Sequence, residues 1–126
     1  MKKIYRVRLR FLSEDYSVLE NFISDKTVDY ELLKKDEQIR PKSSSVAKTN
    51  VLLTNIIRTD SIKEIEKEIM DLILKMNLEH CELDIKKELI ISSVNDTEQF
   101  GFELSNELLQ IIAKNKLDLC ISGVFV

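Results

Sequence analysis

Between Ile4 and Leu12 the side chains alternate in kind: Tyr5, Val7, Leu9 and Phe11 are apolar, while Arg6, Arg8 and Arg10 lie between them. Successive side chains of a strand point to opposite faces, so this segment reads as a strand with one apolar and one cationic face. The apolar face needs a covering layer. The arginine face must stay in water or meet acids on neighbouring strands. This division sets the frame for the rest of the chain: a sheet with helices on one side and an open surface on the other.

Helical stripes of the right kind follow. A helix is expected over about Asp15–Ser24, with Val18, Leu19, Phe22 and Ile23 turned inward, and Ser13, Asp15 or Ser17 able to cap it. In Asp25–Ser45, Tyr30, Leu32 and Leu33 supply some apolar content, and the residues after them, Lys34–Ser45 with the sole proline Pro41 and a serine run, read as an exposed connection. Val46–Ile57 returns to strand character. Val51, Leu53 and Ile57 share one phase and Leu52 and Ile56 the other, so this strand is either covered on both sides or interrupted by a bulge. Ser61 and Glu64 form a capping box for a long helix, in which Ile62, Ile65, Ile69, Leu72, Ile73 and Met76 keep helical period to about Asn77. Its outer charges, Glu64, Lys67, Asp71 and Lys75, suit a solvated face.

Glu79–Val94 is strand again, or a hairpin folded near Lys86 and Lys87; Cys81, Leu83, Ile85, Leu89 and Ile91 share one parity, and His80, Glu82, Asp84, Lys86 and Glu88 the other. The last helix starts at Ser105, carries Leu108, Ile111 and Ile112 inward, and is expected to stop at a left-handed Asn115. From Leu117 the period becomes two, with Leu117, Leu119, Ile121 and Phe125 against Asp118, Cys120 and Ser122. The fold class expected is therefore α+β: a two-layer sandwich with a mainly antiparallel or mixed sheet and about three helices on one face. If its two strands are parallel neighbours, the final strand–helix–strand unit is a crossover of the usual right hand.

Composition narrows the function classes. At 126 residues the chain is expected to form a single domain over 1–126, large enough for its own core. With only Gly101 and Gly123 present, and far apart, a glycine-rich phosphate loop is excluded. A net charge of -3 argues against a general nucleic-acid binder. No apolar run reaches the length of a membrane span and no signal peptide is apparent, so no membrane association is expected. Two cysteines without metal-site spacing, Cys81 and Cys120, fit reduced thiols and a cytoplasmic location.

The C-terminal GFELSNELLQIIAKNKLDLCISGVFV, together with YRVRLRF, LLKKDEQIRPKS and TNVLLTNI, resembles a bacterial family known as domain of unknown function 4279. The shared signature is a glycine, an LS-x-E-L-L helix start and a closing strand. Family members tend to carry a tryptophan in the second strand and a lysine–glycine–aspartate in the connection. This chain has no Trp, and its Lys35 is followed directly by Asp36. The resemblance implies the sandwich fold and transfers no activity.

His80 is the sole histidine, and adjacent Cys81 falls on the opposite strand face, so the two cannot form a nucleophile–base pair. No metal site and no cofactor are expected. Glu82 and Asp84 read as solvated strand acids rather than a catalytic pair. The candidate site is the row Arg6, Arg8 and Arg10, planar donors suited to carboxylate or phosphate, with Glu82, Asp84 and Asp118 as the charge partners that would neutralise it. RNA binding is disfavoured because Tyr5 and Phe11 lie on the other face.

These readings converge on a non-enzymatic cytoplasmic protein-interaction module, with an immunity-type, toxin-neutralising protein as its concrete form and another protein as its partner. The alternative is a regulatory domain for a small anionic ligand. Homodimerisation through an edge strand is a further outcome this layout allows.

Overall fold

The structure, a computed structural model, describes residues 3–36, 48–78, 84–95 and 104–125. Strand β1 (Lys3–Ser13) is followed by α1 (Tyr16–Ile23), β2 (Tyr30–Leu33), β3 (Asn50–Thr54) and β4 (Ile57–Thr59). Then come α2 (Ile62–Met76), β5 (Lys86–Asn95), α3 (Asn106–Lys114) and β6 (Asp118–Phe125). The strands form one sheet in the order β2-β3-β1-β5-β6, with β4 also paired to β1. All pairings are antiparallel except β5 with β6, so the sheet is mixed. The β5–α3–β6 unit meets the condition for a crossover: its strands are neighbours and parallel. The α+β sandwich read from the sequence is the fold observed. Among the described residues no helix is long and apolar enough to cross a membrane.

Local chemistry fixes where the helices begin and end. Asp15, rather than Ser13 or Ser17, is the N-cap of α1 and accepts a hydrogen bond from the Ser17 N–H at 3.0 Å. Ser61 caps α2 and Ser105 caps α3, as their sequences imply. Asn77 ends α2 in the left-handed conformation, φ 50°. The end of α3 differs from expectation. Asn115 keeps a negative φ and its side-chain amide donates to the Ile111 carbonyl, while the left-handed residue is Lys116.

One apolar cluster unites the two layers. Val7, Leu9 and Phe11 of β1, Leu52 of β3, and Leu89 and Ile91 of β5 face Leu19 of α1, Ile65, Ile69 and Met76 of α2, and Leu108 of α3. All of these are essentially inaccessible to water. Burying one such side chain contributes about 1.5–3 kcal/mol. Helix stripes and alternate strand residues therefore define the same interior, and the even-numbered side of β1 faces away from it.

Two segments take a form the sequence reading left open. Tyr30–Leu33, before the expected connection, form an edge strand of 4 residues, β2, paired to β3 with Leu33 opposite Val51; of that connection, residues 37–45, including Pro41 and the serine run, lie outside the described residues. The strand expected over Val46–Ile57 is broken by a bulge. Between Arg10↔Leu53 and Val7↔Ile57, β1 advances three residues while its partner advances four. Arg8 and Leu9 thus face Thr54, Asn55 and Ile56, one residue more than a regular ladder holds, the surplus of a β-bulge. The bulge reverses the side-chain parity. Ile57 packs on the core, opposite in phase to Val51 and Leu53. Thr54 anchors the irregularity, its hydroxyl accepting from the Leu9 N–H at 2.9 Å.

Of the expected strand over Glu79–Val94, residues 79–83, including His80 and Cys81, lie outside the described residues. Lys86 and Lys87 are not a hairpin turn; they pair with Leu12 and Phe11 at the start of β5.

Asn50 ties three segments together. Its amide donates to the carbonyls of Ser13 and Glu14, both at 3.1 Å, and its oxygen accepts from the Lys35 N–H at 2.9 Å. The residue is buried, so its removal leaves backbone groups without partners. We expect Asn50→Ala to cost about 2–3 kcal/mol in urea unfolding. A loss within about 0.5 kcal/mol, the range of ordinary surface changes, would contradict this role.

Candidate functional site

The parity of β1 that buries Val7, Leu9 and Phe11 turns Arg6, Arg8, Arg10 and Leu12 to the open side of the sheet. Neighbouring strands contribute to the same surface through direct register. Leu12 lies opposite Val51 and Lys86, Arg10 opposite Leu53 and Glu88, Arg8 opposite Ile90, and Arg6 opposite Ser92 and Arg58. One strand further, Asp118, Cys120 and Ser122 of β6 stand beside Glu88, Ile90 and Ser92. The result is an open groove of about 560 Å³. Leu12, Leu33, Val51 and Leu53 line one end, with Arg10 beside Leu53; Ile56 and Ile90 continue the floor; Arg6 and Arg8 line the other end.

The arginines are not equivalent. Arg10 donates through Nε to Glu88 Oε1 at 2.7 Å, and the Glu88 side chain is only 7% exposed against 37% for Arg10. This hydrogen bond holds the Glu88 carboxyl below the usual carboxylate range despite its burial. It likewise raises the pKa of Arg10. The Cys120 thiol donates to Glu88 Oε2 at 3.5 Å; desolvation first, and then the bond to this carboxylate, push the thiol pKa up. Cys120 is therefore a poorly activated nucleophile.

Arg8, which lines the groove, donates through Nε to the Thr54 carbonyl at 3.0 Å and leaves its terminal nitrogens out of this bond. Burial works against its charge, while Glu31 across on β2 works for it. The Arg6 side chain is exposed and, among the described residues, makes no hydrogen bond or ion pair. It faces Arg58, which has none either. Like charges directly opposite on a ladder repel.

The expected charge partners fare differently. Glu82 lies outside the described residues. Asp84 sits exposed in the turn before β5 and Asp118 stands exposed on β6; neither forms an ion pair with the row. The acid that does is Glu88, whose parity with Asp84 and Lys86 was visible in sequence but whose register opposite Arg10 was not. Among the described residues no three potential metal ligands cluster. Compared with protein-family models, curated proteins and solved structures, the chain matches none.

Because Glu88 titrates below its ordinary value of 4.5 when folded, its contribution is complete above that value and is lost as pH falls below it through the lowered folded pKa. Glu88→Gln should flatten the acid limb of stability below the ordinary value of 4.5. Arg10→Ala, which strands a buried carboxylate, should cost about 2 kcal/mol at pH 7, whereas Arg6→Ala should be neutral within about 0.5 kcal/mol. Equal costs for the two arginine variants would contradict the assignment of Glu88 to Arg10.

Proposed function

We propose that this chain is a non-enzymatic binding module whose working surface is the open face of the sheet, and that it binds an anion there. The observation that carries the reading is Arg6, which lines one end of an apolar groove, facing Arg58 across the ladder, both side chains without an acidic partner among the described residues. An anion placed between them relieves the repulsion and accepts several charge-assisted hydrogen bonds. Binding rather than catalysis is favoured by what the groove offers: guanidinium donors, aliphatic surface, and in Glu88 a carboxylate already engaged by Arg10.

A second reading, the immunity-type module that acts on another protein, is favoured by a different feature. β6 is an edge strand of 8 residues. Asp118 is its sole charged residue, and Ile121 is half exposed on it. Among the described residues, such an edge lacks the usual guards against pairing with another strand, in a partner or in a second copy of the chain. A cytoplasmic location and distant membership of domain of unknown function 4279 belong to the same proposal. The first is supported by the free thiol of Cys120 and the second by the LSNELL helix start.

A thermal-shift panel of carboxylates, phosphates and neutral analogues tests the anion reading. A ligand at ten times its Kd adds about 1.4 kcal/mol, which for a domain of this size is a rise of about 3–6 °C. The rise should disappear in the Arg6→Gln/Arg8→Gln double variant. If no anion raises the melting temperature, or the rise survives in that variant, the anion reading falls and the edge-strand reading takes its place.

A further inference from the structure

We propose that the groove takes a medium-chain aliphatic carboxylate, its head held by Arg6 and Arg8 and its chain lying over Ile90 and Leu53 toward Leu12 and Val51. This rests on the anion-binding reading above and gives its ligand a chemical class. The polarity of the groove is graded. Leu12, Leu33, Val51 and Leu53 line the end near β2 and β3, where the one arginine, Arg10 opposite Leu53, is already engaged by Glu88; Arg6 and Arg8 line the end toward β4. A ligand with charge distributed along its length would bury polar groups over Leu12, Val51 and Leu53 without partners. A ligand without charge would leave Arg6 and Arg58 opposed.

The dimensions agree. From Arg8 to Leu12 is four residues, at about 3.4 Å each roughly 14 Å, the reach of a medium aliphatic chain. A groove of about 560 Å³ falls in the size range of small-molecule sites. At the far rim Lys48 is exposed and lines the groove; its aliphatic stem can cover the chain while its ammonium stays in water.

The head group follows from the local charge. Arg8 has committed Nε to Thr54 and leaves its terminal nitrogens out of that bond, a planar donor pair that matches one carboxylate. With Glu31 acting on Arg8, a singly charged head is favoured over a doubly charged phosphate.

Titration of the full chain with decanoate, butyrate and decanol, followed by NMR of the methyl groups, tests the proposal. With about half of the additional methylenes of decanoate covered, at roughly fourfold each, decanoate should bind roughly 60-fold more tightly than butyrate. Methyl shifts should concentrate at Leu12, Val51 and Leu53. Arg8→Gln should weaken decanoate roughly tenfold or more with the rest of the spectrum unchanged, and decanol should bind no better than decanoate does to that variant. The proposal is overturned if decanoate and butyrate bind alike, if decanol matches decanoate, or if the shifts gather at the exposed Leu74 or Ile121. Should other anions still raise the melting temperature through Arg6 and Arg8 while decanoate fails here, the anion-binding reading stands and the aliphatic ligand alone is rejected.

Discussion

Hydrogen bonding of β1 along both of its edges is the constraint on which the rest depends. β5 pairs with it from Lys3 to Leu12 on one side, and β3 and β4 share the other. A strand held on both sides cannot slip by one residue without moving its whole apolar set to the wrong face. The burial of Val7, Leu9 and Phe11 under the helices and the outward projection of Arg6, Arg8 and Arg10 are thus one choice, made once.

The bulge within Thr54, Asn55 and Ile56 then divides the arginine face into different environments. It swings the Thr54 carbonyl into reach of Arg8 Nε and lets the Thr54 hydroxyl take the Leu9 N–H. Beyond it, the changed parity brings Arg58 rather than an aliphatic residue opposite Arg6. Without the extra residue the position facing Arg6 would be Ile57, and the unrelieved cationic pair would not exist. Bulges re-aim side chains next to functional surfaces elsewhere, and here the re-aimed group is a guanidinium. Arg10, upstream of the bulge, is instead fastened to a buried acid and belongs to the scaffold.

What could be read without coordinates follows physical range. The caps at Ser61 and Ser105, the helix stripes and the alternation of β1 are local signals, and each reappears in place. β2 escaped notice because four residues, flanked by Asp29 and two lysines, show too little periodicity to separate from a loop. The site was half legible. Its arginine row is written in the first ten residues, but its acid, its apolar floor and Arg58 come from strands far along the chain. Whether Glu88, Asp84 or Asp118 meets an arginine is decided by register, which no local pattern encodes. The two phases of apolar residues over Val51–Ile57 did hold a true signal, since a bulge is the reason both phases occur.

Arg6, Arg8 and Arg10 hold unequal commitments on one open surface. Exchange of the guanidinium Nε–H protons, followed by NMR with each arginine assigned, measures this directly. The structure requires slow exchange at Arg10, bonded to Glu88, and at Arg8, bonded to Thr54, with Arg6 exchanging as fast as a free side chain. Uniform protection of all three would mean that the face is covered, and rapid exchange at Arg10 would mean that Glu88 does not hold it.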